Sequence, residues 1–188
     1  MKSKTSFISM GILLNDFKRF SWIGAGYLLA LLAIVPLKIL MLYSRAQDLR
    51  INDTTAYLRI FQFDYYSPIQ ILVLIVVPVL TGLLLFRYLQ DSRAADMAHA
   101  LPVRREALYN THVVAGLIFL FVPLILTALV SWGLVSGLGI EDVKGINILT
   151  WLANCLLFNL LFFICCVAVG MVTGMTTLQG VLTYILLF

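Results

Sequence analysis

Four stretches of the chain, roughly 21–43, 69–89, 108–136 and 148–172, are almost free of charge and about 20 residues or longer. A helix rising about 1.5 Å per residue needs that length to cross roughly 30 Å of hydrocarbon. Because lipid offers no partner to backbone polar groups, such runs have little choice but to be helical. The expected fold is therefore all-α and polytopic. Composition agrees: hydrophobic residues make up 62% of the 188 and charged ones 12%, with a mean hydropathy of +1.01, far from the averages of soluble domains.

Residues 1–20 precede the first run and carry Lys2, Lys4, Lys18 and Arg19, with Phe7, Met10, Leu14 and Phe17 at helical spacing. That pattern predicts an amphipathic interfacial helix, with Trp22 marking entry to the first span and residues 21–188 forming the transmembrane domain. An extension of the first span is the plainer reading of the same residues. Pro36 is placed to kink that span and Lys38 to snorkel at its far end. Residues 44–68 read as a polar loop that closes on interleaved aromatics and charges. The Asn52-Asp53-Thr54 triplet matches a glycosylation acceptor, a pattern too short to carry weight.

A Thr/Gly-rich turn is expected at 173–180, then a fifth apolar run from Val181 to Phe188. Eight residues of helix reach only about 12 Å, so the fifth span is read as truncated, and the chain as the N-terminal portion of a longer polypeptide.

Charge gathers in one place between apolar runs, at 86–112, where Arg87, Asp91, Arg93, Asp96, Arg104, Arg105 and Glu106 cannot lie in hydrocarbon. Orientation follows from Lys and Arg in the short loops. Lys2, Lys4, Lys18, Arg19, Arg87, Arg93, Arg104 and Arg105 fall on one side and Arg45, Arg50, Arg59 and Lys144 on the other. Eight against four puts the N-terminus and the 86–112 stretch in the cytoplasm. Within that stretch Asp91 or Ser92 caps a short helix on which Ala94, Met97, Ala98 and Leu101 form an apolar stripe beside Arg93 and Asp96. Pro102 ends it and Glu106 suits the first turn of the next helix. Such a helix serves either as a lever for a soluble partner or as a surface loop packed on its own domain.

Several chemistries are missing from the sequence. There is no Gly-rich loop ending in Gly-Lys-Ser/Thr, so the chain lacks that device for binding ATP. His99 and His112 have no nearby Cys or paired carboxylates, which reads as surface or interfacial histidines and no metal site. Cys155, Cys165 and Cys166 lie in one apolar run and read as small packing residues. No basic stripe suggests nucleic acid, and no cofactor motif is present. None of the four spans has an Asp or Glu near its centre, so a transported solute would draw its energy from elsewhere. Asn154 and Asn159 are the most polar side chains within a span. They either line a translocation path or hydrogen-bond neighbouring helices. Gly133-x-x-x-Gly137 and Gly170-x-x-x-Gly174 allow close helix approach.

The residues Phe86-Arg87-Tyr88-Leu89-Gln90, then Arg93 and Asp96, then His99-Ala100-Leu101-Pro102-Val103-Arg104-Arg105-Glu106-Ala107-Leu108 resemble the first cytoplasmic loop of type-2 ABC-transporter permeases. The closest kind is that of Gram-positive bacteria, with its His-Ser-Leu-Pro-x-x-Arg pattern. Ala100 stands where a Ser is usual and Gln90 where a His is common, while the Leu-Pro and Arg positions are kept. The resemblance extends to the layout of an interfacial helix, a coupling helix between spans two and three, and six spans in a complete domain, of which this chain supplies four and part of a fifth.

The resemblance implies an export permease subunit of the cell membrane, not itself an enzyme. It would pair with a second permease subunit, identical or not, and with cytoplasmic ABC ATPase subunits that dock on the 87–107 loop. Met97 and Leu101 would anchor that contact, with Arg93, Asp96, Arg104 and Arg105 as its polar rim. The competing expectation is a polytopic protein that transports nothing: a sensor, an assembly factor, or an intramembrane enzyme whose active residues lie beyond this stretch.

Overall fold

The computed structural model describes residues 8–49, 54–62, 68–87, 105–140 and 143–187. Among these, every regular element is a helix: α1 (Met10–Ile34), α2 (Pro36–Leu49), α3 (Thr54–Ile60), α4 (Pro68–Leu85), α5 (Arg105–Gly137), α6 (Gly145–Val172) and α7 (Thr176–Leu187). Four helical runs are long and apolar enough to cross a membrane: Met10–Gln47, Pro68–Leu85, Arg105–Gly137 and Gly145–Val172. Large apolar side chains on their outer faces, including Leu29, Ile69, Leu129 and Leu157, are exposed. Water would penalise that surface and lipid would not, so the chain is a multi-pass membrane protein.

Prolines and a glycine set the boundaries. Ser9 stands at the N-cap position of α1, and no proline follows until Pro36, so residues 10–34 form one helix and residues 10–20 are its first turns. Pro36 has no N–H to donate and its ring crowds the preceding turn. The break at Val35 is slight, because Val35 N still donates to Leu31 O (2.9 Å) and Ile39 N to Val35 O (3.1 Å). Pro78 and Pro123 lie inside α4 and α5.

At the end of α5, Gly139 adopts φ +66°, a left-handed conformation that favours glycine. Ile140 N then donates to Val135 O and Gly139 N to Ser136 O. This Schellman closure satisfies the last carbonyls of a long apolar helix.

Two expectations change. The 44–68 loop contains α3, because Tyr57, Ile60 and Phe61 share a helical face and are buried. The turn after α6 shrinks to 173–175, since α7 begins at Thr176. Buried Gln179 donates to Cys166 O (2.9 Å) and Gly180 packs near Leu83, so 176–180 is held as helix where composition suggested a turn.

The packing divides the chain into two compact units. The first gathers the described residues of Met1–Ile23, Val77–Phe119 and Leu160–Phe188, and the second those of Gly24–Val76 and Leu120–Asn159. In the first unit glycine permits the closest contacts. A Cβ on Gly82 would stand 2.9 Å from Cys166 Sγ, and one on Gly116 would collide with the Phe163 ring. The second unit is built on Leu31, Val35, Ile39, Leu124, Ile148 and Trp151, all fully or almost fully buried.

Candidate functional site

The residues at the two ends of the 88–104 segment meet in the first unit. Phe86, the residue after α4, is fully buried. Its ring lies 5.6 Å from that of Tyr109, 6.2 Å from that of His112 and 6.4 Å from that of Phe163. Aromatic contacts in this range favour tilted and edge-on arrangements such as these. Tyr109 and His112 belong to the first turns of α5, so Phe86 ties the end of α4 to the start of α5.

The start of α1 is attached to the same turns. His112 Nδ1 is 2.6 Å from Asp16 Oδ2, with both side chains buried. About two turns before Asp16, at the N-cap of α1, Ser9 N donates to Thr111 Oγ1 (3.0 Å). The Phe17 and Phe119 rings, 5.0 Å apart, add apolar contact between the same two helices. Asp16 was not singled out by spacing because its partner lies 96 residues away. His112, expected at a surface or interface, is buried, and its pairing with a carboxylate is what makes that burial tolerable.

Arg105 sits at the exposed start of α5 beside exposed Glu106, and Arg87 is exposed at the other end of the segment. Arg93, Asp96, Met97, Leu101 and Arg104 lie outside the described residues. Among the described residues no group of three or more His, Cys, Asp and Glu side chains could hold a metal.

A second set of polar groups lies on α6. Ile148, Trp151, Cys155 and Asn159 fall at spacings of three and four and are all buried, so they share one face. Asn159 Nδ2 donates to Cys155 O (2.8 Å), and its Oδ1 accepts from Tyr27 Oη (3.2 Å). Asn159 thus binds α1 in the second unit, which is the helix-joining role open to it from the sequence. Asn154 is on the exposed side of α6, so the two asparagines do not share a surface.

Also in the second unit, the Phe61 ring meets Trp151 edge-on at 6.1 Å. Trp151 Nε1 and both amide atoms of Gln70 are buried without a hydrogen-bond partner. A recess of about 290 Å³ lies between the end of α5 and the start of α6, bordered by Trp132, Ser136, Ile140 and Ile148.

Of the four glycines in the two expected pairs, only Gly170 makes a close approach. Gly133, Gly137 and Gly174 have nothing near their Cβ positions, while Gly170 lies against Gln179. Gly82 and Gly116, unremarkable in sequence, make close approaches as well.

No family model, curated protein or solved structure matches the chain.

Proposed function

We propose that the chain is a permease subunit of an ATP-driven exporter of the type-2 ABC class, with its 87–107 loop on the cytoplasmic side as the docking element for partner ATPases. The carrying observation is the closure at the loop's base: Phe86 on Tyr109 and His112, and His112 on Asp16. A segment whose two ends are fixed against buried helical turns can pass a push into α4, α5 and α1 together. A loosely attached loop would absorb it. Exposed Arg87, Arg105 and Glu106 at those ends supply charge for the rim of a contact.

The resemblance of residues 86–108 to a coupling loop supports the same reading, as does the absence of an ATP-binding glycine loop from a chain rich in spans. ATP-driven closure of two ATPases would move the loops of two permease subunits and switch the spans between inward and outward exposure. On this reading Met97 and Leu101 supply the apolar anchor of the contact and Arg93, Asp96, Arg104 and Arg105 its polar rim.

The test is affinity purification of the tagged chain from its native membrane. The wild type retains an ATP-binding subunit through detergent exchange, and M97D/L101D loses it while keeping its fold. Retention by the double variant would refute docking through this loop.

A further inference from the structure

The outward face of α1 carries positive charge that the protein does not pair. Asn15, Lys18, Arg19 and Trp22 lie three and four positions apart, so on a helix each neighbours two of the others at roughly 5–6 Å between Cβ atoms. All four are exposed, Trp22 by 59%. Among the described residues neither cation forms an ion pair. Arg19 rests over the Phe20 ring, 5.2 Å from its centre, and a ring is only a weak acceptor for guanidinium N–H groups. The described carboxylates of the first unit are Asp16 and Glu106. Asp16 is buried against His112, about 200° around the helix from Lys18, and Glu106 stands in the first turn of α5.

Length fixes the level of this face in the membrane. Residues 20–37 carry no charge and as helix measure about 27 Å, close to the roughly 30 Å of hydrocarbon. Lys18 and Arg19 therefore stand at headgroup level, and Trp22, one turn further in, at the boundary where indoles gather. Contacts with α5 hold the segment in one orientation: the Asp16–His112 pair and Phe17 against Phe119 at 5.0 Å immediately precede the two cations.

That setting specifies a partner. Two unpaired cations and an amide NH₂ suit an anion with several acceptor oxygens. The indole beside them suits an apolar body attached to that anion. A free phosphate meets only the first demand. A phospholipid meets both, and a headgroup without a cation of its own leaves its charge for Lys18 and Arg19. We propose that Asn15, Lys18, Arg19 and Trp22 form a binding surface for one anionic phospholipid, with its phosphate between Lys18 and Arg19 and its glycerol ester region against Trp22. The surface is independent of the transport reading above.

The test is native mass spectrometry of the full chain in an uncharged detergent, titrated with dioleoyl phosphatidylglycerol or dioleoyl phosphatidylcholine. The first phosphatidylglycerol should bind about tenfold more tightly, or better, than the first phosphatidylcholine. Glycerophosphoglycerol, the same headgroup without acyl chains, should not displace it. K18Q/R19Q should bind the two lipids alike, while K18R/R19K keeps the preference. K144Q, which removes an exposed lysine elsewhere in the chain, should keep it too. All of these side chains are exposed, so the variants should unfold at the temperature of the wild type in lipid-free detergent.

No preference in the wild type, or a preference that survives K18Q/R19Q, would overturn the surface. An equal loss in K144Q would overturn it as well, by showing that net charge alone sets the preference. Displacement by glycerophosphoglycerol would reveal a plain anion site and contradict the lipid.

Discussion

His112 on α5 and Asp16 on α1 form a 2.6 Å contact between buried side chains 96 residues apart. Removing the imidazole takes a hydrogen-bond partner from a buried carboxylate, and removing the carboxylate takes one from a buried imidazole. H112L and D16L should each cost about 1–3 kcal/mol, with D16L/H112L costing less than the two losses together. Thermal unfolding of the four proteins in one detergent measures the cycle, and strictly additive losses would show that the contact carries no energy.

Gly116 faces the Phe163 ring so closely that a methyl cannot be added without displacement. G116A should destabilise by about 1–3 kcal/mol through overpacking. G133A, at a glycine with open space, should change stability by about 0.5 kcal/mol or less. Equal effects at the two positions would contradict the packing of the first unit.

Gln70 is buried with its amide unpaired. An unmet amide costs about 1–3 kcal/mol, and an apolar side chain of similar shape removes that penalty. Q70M should raise the unfolding temperature of the ligand-free protein. A lower temperature would mean that Gln70 has a partner in the folded chain.

Asn159 accepts the Tyr27 hydroxyl and is buried, while Asn154 is exposed. N159L should lose about 1–2 kcal/mol, as the phenol is left without an acceptor, and N154L should be close to neutral in lipid. Equal losses at the two positions would overturn the division of roles between the two asparagines.

The class of fold was legible from run length alone, because hydrocarbon thickness dictates it and the four runs reappear as the four candidate spans. Boundaries were legible where a proline sets them, as at Pro36, and less so where tertiary contact does. Gln179 makes 176–180 helical by reaching Cys166 O, and nothing in the local composition signals that reach. The same holds for the candidate site. Arg105, Glu106 and the aromatic Phe86 could be picked out from one stretch of sequence, but the Asp16–His112 contact depends on helices distant in the chain. GxxxG spacing found one close approach, Gly170 against Gln179, and missed those at Gly82 and Gly116, because spacing identifies a small-residue face without saying whether a neighbour lies against it.

The central claim is that the 87–107 loop draws on a separate ATPase. Its most direct measurement is ATP hydrolysis by the detergent-purified complex captured on this chain. The account predicts activity that co-elutes with the wild-type chain and is absent from M97D/L101D captured at equal yield. A wild-type chain from native membranes that elutes with no hydrolysing partner, or a double variant that keeps full activity, would contradict it.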